Sequence, residues 1–258
     1  MGSDRPAGRW AKLLALAFWL VVWQLAALGI GQKILLVGPV ETLGTLVSLL
    51  PQPDFWVRVG HSVIRIGLGF VLAMVLGTLL AVASAASRVV HQLVQIPMQL
   101  IKAAPVASFI ILALLWVRSR WLAVLISFLI GLPVVYAAVL QGIRSTDRQL
   151  LEMAHVFRLP FGRTLRGVWL PQVLPYFAQS SRTALGLCFK SGVAAEVIGL
   201  PGGSIGEALY NAKIALQTGE LFAWTLVIIC ISALAEKLLC LLLAALGRRF
   251  GWEGGAAQ

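Results

Sequence analysis

Six long apolar runs alternate with short polar connections along this chain. They cover about Trp10 to Ile30, Ser62 to Ala85, Leu93 to Val117, Trp121 to Ile143, Gln172 to Ile198 and Leu221 to Leu246. Each is near the ~20 residues that a helix needs to cross the hydrocarbon core of a bilayer. The pattern predicts an all-α integral membrane protein with six transmembrane helices. Residues 1–9 form a short terminal segment, 10–246 a single membrane domain, and 247–258 a Gly- and Ala-rich tail expected to be disordered. The first run is long for a signal-peptide core and lacks a small-residue cleavage site, so it is expected to be retained. Leu43, Leu46, Val47 and Leu50 recur at i, i+3, i+4, i+7, which predicts an amphipathic helix on the membrane surface, ended by Pro51 and Pro53. In the second run Gly69, Ala73, Gly77, Ala81 and Ala85 recur every four residues. Small residues at that spacing let helices approach closely in lipid.

Between the fourth and fifth runs lies a different pattern, DRQLLEMAHVFRLPFGRTLRGVWLPQVLP from Asp147 to Pro175. Thr146 and Gln149 have capping-box spacing, so a helix is expected to start there. Leu150, Leu151, Ala154 and Phe157 give it one apolar face. Leu159-Pro160 breaks it, because the residue before a proline is pushed out of the helical region. A second short turn, Phe161 to Val168, carries Arg163 and Arg166, and Leu170-Pro171 leads into the next run. This basic, folded loop is too polar for lipid and suits a groove on a soluble partner.

Composition supports the membrane class: 59% of the 258 residues are hydrophobic and only 12% are charged. The formal net charge of +11 could suggest nucleic acid, but the cations sit beside the runs and no basic patch interleaves with aromatics. No nucleic-acid partner is expected. The side of the termini carries Arg5, Arg9, Lys12, Arg88, Arg144, Arg148, Arg158, Arg163, Arg166, Arg248 and Arg249. The other side carries only Lys33, Arg58, Arg118, Arg120 and Lys213. The positive-inside rule then puts both termini and the Glu152 loop in the cytoplasm. Trp10, Trp169 and Trp252 would mark the inner interface, and Trp23, Trp56, Trp116, Trp121 and Trp224 the outer one. Cys188, Cys230 and Cys240 fall inside runs without metal-ligand spacing and are expected to be buried hydrophobes. His61, His91 and His155 are isolated. No GxxxxGK[ST], HExxH or GxSxG pattern occurs, so no catalytic residue, metal or cofactor is expected.

Charges inside runs cost about 2.5–3.5 kcal/mol each on insertion scales. Arg65 lies near a run end and can snorkel. Lys237 also has a route to the interface. Arg182 and Lys190 share one helical face across Gly186. Lys190, with Ser181 and Ser191, is the candidate lining of a pathway for an anionic solute; pairing inside the bundle is its alternative. Arg182 and Glu236 lie at equal depth, about 15 Å from the inner boundary at 1.5 Å per residue, and are expected to form an interhelical ion pair. Lys102 is a competing partner.

Glu152-Met153-Ala154, thirteen residues, then Val168-Trp169-Leu170-Pro171 resembles the EAA loop of ABC importer permeases. Met153 replaces the first Ala of that pattern. Arg158 stands where a Gly belongs, and Gly162, four residues on, is the candidate source of flexibility. PVASFIILALLWV and LGLCFKSGVAAEVIGLPGGSIG are similar to spans of the nitrate/sulfonate/taurine-type permeases. The resemblance implies the type I ABC importer permease fold in the inner (cytoplasmic) cell membrane. It implies a permease homodimer, two cytoplasmic ATP-binding subunits that carry the hydrolysis, and an extracytoplasmic solute-binding protein. Glu152, Ala154, Gly162, Leu170 and Pro171 would form the loop that inserts into each ATPase. The competing class is a stand-alone secondary transporter or membrane scaffold, whose sign would be inverted repeats with matching broken helices; none is visible.

Overall fold

A computed structural model describes residues 9–249, and among them all regular structure is helical. The expectations for the terminal segment before Arg9, the tail beyond Arg249 and Trp252 lie outside the described residues. The helices are α1 (Arg9–Ile30), α2 (Pro39–Leu49), α3 (Pro53–Ala86), α4 (Arg88–Ala103), α5 (Val106–Ala113), α6 (Ser119–Arg144), α7 (Arg148–Val156), α8 (Phe161–Thr164), α9 (Leu170–Gly199), α10 (Ile205–Ile214) and α11 (Thr218–Arg249). A π-helical turn, Leu165–Trp169, joins α8 to α9.

Four helices, α1, α3, α6 and α11, are each long and apolar enough to cross a bilayer. The third expected run is not one straight span: α4 and α5 are bent by 104° across their break. Ala104 there is extended (φ −78°, ψ 137°), the conformation that the following Pro105 imposes. The fifth run is α9, whose 30 residues reach about 45 Å at 1.5 Å per residue. It carries Arg182, Lys190 and Glu196 and is the most polar of the long helices.

Helix α6 lies between α3 and α9 and forms the centre of the fold. The expected small-residue stripe makes the first of these contacts. Gly69, Ala73, Gly77 and Ala81 are buried, and Ala85 lies beyond the contact and is exposed. A Cβ on Gly69 would stand 2.4 Å from the Val124 carbonyl oxygen, so the two backbones meet there. On the other side Ser127 Oγ donates to the Cys188 carbonyl (3.1 Å) and Cys188 Sγ donates to the Ser127 carbonyl (3.1 Å). This reciprocal pair satisfies both side chains within the protein, the condition for burying polar atoms in an apolar bundle. Cys188 is buried as expected, but Cys230 is exposed.

A second cluster gathers Leu49, Phe55, Ile205, Ala208 and Trp224. Trp224 is buried within the protein and stacks on Phe55 with centroids 5.0 Å apart. A helix, α2, forms over the stretch expected to be amphipathic, and Leu50 of the expected face lies just past its end and is exposed. Leu46 and Leu49 pack into this cluster, while Leu43 and Val47 stay exposed.

Candidate functional site

The loop between α6 and α9 is a folded unit. Its first helix is capped by Asp147, not by Thr146: Asp147 Oδ1 accepts from the Gln149 amide at 2.8 Å. The Thr146 hydroxyl is turned back onto the Gly142 carbonyl (3.2 Å). Aspartate wins because its carboxylate bonds the free first-turn amide more strongly than a hydroxyl already engaged upstream. The Asp147 amide donates to Gln172 Oε1 at 2.8 Å, which ties the start of α7 to the foot of α9. Ala154 is buried and Glu152 is exposed.

Helix α7 ends in a complete Schellman motif. The Leu159 amide bonds the Ala154 carbonyl (2.9 Å) and the Arg158 amide bonds the His155 carbonyl (3.0 Å). Such a cap needs a left-handed residue, usually glycine, and here Arg158 supplies it with φ +49°. Gly162 does not replace the missing glycine. It is an ordinary helical residue of α8 with nothing near its Cβ position. From Phe161 the chain stays helical into α9, so Leu170 and Pro171 continue the helix. The Leu170 amide reaches back five residues to the Leu165 carbonyl. The wide turn accommodates Pro171, which has no amide hydrogen and whose ring would crowd the carbonyl four residues back. Val156, Phe157 and Phe161 are each more than 70% exposed at the tip, beside Arg158 and Arg163. Exposed apolar patches rimmed by polar groups are the kind of surface that proteins use for interaction.

The expected pathway residues separate. Lys190 is exposed, on one stripe of α9 with Tyr176, Gln179, Thr183 and Leu187. Ser181 and Ser191 face inward: their hydroxyls donate to the Phe177 carbonyl (2.5 Å) and the Leu187 carbonyl (2.8 Å). Arg182 and Glu236 make no ion pair. Glu236 is exposed on α11, while Arg182 Nε is buried without a hydrogen-bond partner. The exposed carboxylate of Glu236 and the buried Nε of Arg182 do not meet.

Two polar clusters were missed by sequence reasoning. At the end remote from the loop, Arg65 has a partner inside the bundle. Its Nη1 stands 3.7 Å from Oε1 of the fully buried Glu196. Glu196 Oε2 accepts from Ser62 Oγ (2.6 Å) and from the Gly206 amide (3.3 Å), and Ser62 Oγ accepts from the Ile205 amide (2.9 Å). The carboxylate thus joins α3 and α9 to the first turn of α10. The signal was available: Glu196 is the lone acid of its run, and a carboxylate in a membrane helix requires a partner. The second cluster lies near the loop. His91, Gln95, Gln99 and Lys102 follow one face of α4 and, with Gln141 and Arg144 of α6, line a cleft of about 210 Å³. His91 is not an isolated interface residue: its Nδ1 lies 3.1 Å from Tyr136 Oη, which donates to Ser84 Oγ at 3.2 Å. No carboxylate lines the cleft. Its cations and amides suit an oxoanion. Among the described residues no group of His, Cys, Asp and Glu could hold a metal ion.

Comparison with known proteins adds three findings. A family described as "Binding-protein-dependent transport system inner membrane component" matches residues 69–252. A putative aliphatic sulfonates transport permease protein of Escherichia coli (strain K12) is 31% identical over 221 residues, covering 83% of this chain and 83% of the relative. One of the same description from Bacillus subtilis (strain 168) is 26% identical over 237 residues, 90% of this chain and 85% of the relative. Among solved structures, an amino acid ABC transporter crystallised with histidines has a TM-score of 0.59 at 16% identity, covering 80% of this chain and 97% of that one. That last likeness is one of fold.

Proposed function

The chain belongs to the family of binding-protein-dependent transport system inner membrane components, and from that membership we propose that it is one permease subunit of an ATP-driven importer for small anions of the sulfonate class. The observation that carries the proposal is the loop from 144 to 171: a helix capped at both ends, Ala154 buried, Glu152 exposed, and an apolar tip rimmed by arginines. It is built to enter a groove on a soluble protein, and it occupies the stretch that resembles the coupling loop of such permeases. We assign that partner as an ATPase subunit, two of which serve a permease homodimer, and place the loop and both termini in the cytoplasm. A solute-binding protein on the opposite side delivers the cargo. Closure of the ATPases on ATP shifts the population between two packings of the bundle, because each nucleotide state binds one packing better. Hydrolysis is the work of the ATPase.

An anionic cargo is supported by the cleft lined by His91, Lys102 and Arg144 without a carboxylate, by exposed Lys190, and by the sulfonate names of both relatives. The test is reconstitution with the ATPase and binding protein, followed by uptake of a labelled alkanesulfonate into vesicles. ATP-dependent uptake, lost in Glu152→Lys with the protein still inserted, is the expected result. Undiminished uptake and ATPase binding by Glu152→Lys would remove the loop from the mechanism.

A further inference from the structure

We infer that the cleft between α3 and α6, at the end of the bundle remote from the loop, is a binding site for an anionic phospholipid, with the phosphate at its polar rim and an acyl chain along α3. The cleft holds about 530 Å³. Its rim is polar and basic: His61, Arg65, Ser119, Arg120 and the backbone around Gly202. Its floor is apolar, with Ile64, Leu68 and Trp121. This division within one cavity matches an amphiphile better than a free ion.

Charge at the rim is unbalanced. Glu196 offsets Arg65 at 3.7 Å. Arg120 is exposed and makes no hydrogen bond or ion pair among the described residues. It sits in the first turn of α6, a helix of 26 residues whose N-cap residue, Arg118, makes no side-chain cap. The Trp121 amide is taken up by the Arg118 carbonyl (2.9 Å), which leaves the Ser119 and Arg120 amides beside an unpaired guanidinium, a combination that suits an anion, phosphate above all. His61 completes the rim, its Nδ1 3.1 Å from the Gly203 carbonyl.

What lies below the rim decides between a lipid and a solute. Ile64 and Leu68 open a row on α3 that continues through Val71, Val75 and Leu79, all exposed and all apolar. A water-filled path would not present an unbroken hydrocarbon row; acyl chains would. Trp121, 54% exposed, stands at the junction of rim and floor, the level at which indole side chains concentrate in membranes.

The test uses the full chain purified in a neutral detergent, titrated with phosphatidylglycerol and read by native mass spectrometry. Arg120→Gln removes the unpaired charge; Leu68→Trp fills the acyl floor. Neither touches the Arg65–Glu196 pair, and a thermal melt confirms that each variant is folded. Wild type should retain phosphatidylglycerol, and each variant should weaken it about tenfold, the scale of one charge-assisted hydrogen bond. Inorganic phosphate in large excess should not displace the lipid. Equal retention by wild type and both variants would mean unspecific lipid adhesion and overturn the site. Full displacement by inorganic phosphate would make it a free-anion site and overturn the lipid assignment.

Discussion

At the scale of single residues, the informative positions are those where the sequence breaks a local rule. Arg158 pays for a left-handed backbone in a motif position that glycine would occupy without strain. Arg158→Gly should stabilise the end of α7 by about 1 kcal/mol, since the strain lost exceeds the entropy glycine adds. Hydrogen exchange at the Leu159 amide, which closes the motif, should slow roughly fivefold; unchanged exchange would mean that the loop is held by other contacts. From sequence alone Gly162 is the candidate flexible point, and Arg158 is only the residue that stands where the motif has Gly. Which residue turns left-handed depends on which amide closes onto Ala154, and spacing does not reveal that. Glu196 gives a second case. Removing one member of a buried pair costs about 3–5 kcal/mol, so Glu196→Ala should sharply lower the melting temperature in detergent, leaving Arg65, the Ser62 hydroxyl and the Gly206 amide without their acceptor. Arg65→Met with Glu196→Gln should recover much of that loss. If the double variant melts no higher than Glu196→Ala, the pair is not the source of the stability.

At the scale of elements, the legible features were those carried by periodicity. The small-residue stripe named the face of α3 that packs on α6, and the apolar spacing named α2. The break between α4 and α5 was less legible. Pro97 and Pro105 both stand in one apolar run, and only Pro105 ends a helix; Pro97 is held inside α4. Prolines in membrane helices are tolerated where neighbours satisfy the freed carbonyl, and sequence does not show those neighbours. Pairing across helices was misread for a related reason. Depth can be counted at 1.5 Å per residue, but azimuth around the bundle cannot, so Arg182 was matched to Glu236 and Arg65 was left to snorkel. Two outcomes follow for the elements. Gly69→Val should prevent the α3–α6 approach, because even its Cβ would stand 2.4 Å from a backbone oxygen; folded yield on size-exclusion chromatography should collapse, while Gly67→Val, with nothing within 4 Å of its Cβ position, should fold normally. Pro171→Ala restores an amide and removes the crowding that favours the π turn. The turn should tighten to an α-helix and rotate α8 against α9, seen as altered disulfide trapping between cysteines placed at 161 and an ATPase.

At the scale of the whole molecule, one chain leaves a face unfinished. Tyr176, Gln179, Thr183 and Lys190, with Leu187 among them, form a largely polar stripe on α9 that stays exposed among the described residues. An ammonium left against acyl chains would cost several kcal/mol on insertion scales, so the stripe must meet water or a second copy. The homodimer proposed above, with its two α9 stripes facing each other, would satisfy both, because the space between them would be an aqueous path with cations on both walls. Cysteine labelling distinguishes this from lipid exposure. The background must first lose Cys230 and Cys240, which are exposed and half-buried; Cys188, buried between α6 and α9, can remain. Lys190→Cys in that background should react with a charged, water-soluble thiol reagent in vesicles, and an alkanesulfonate under ATP turnover should slow the reaction. A cysteine at Leu79, on the apolar row of α3, should resist the same reagent and so calibrates lipid exposure. If position 190 resists labelling as position 79 does, in every nucleotide state, then α9 turns its stripe to a buried contact, and the anion path must be sought in the cleft between α4 and α6.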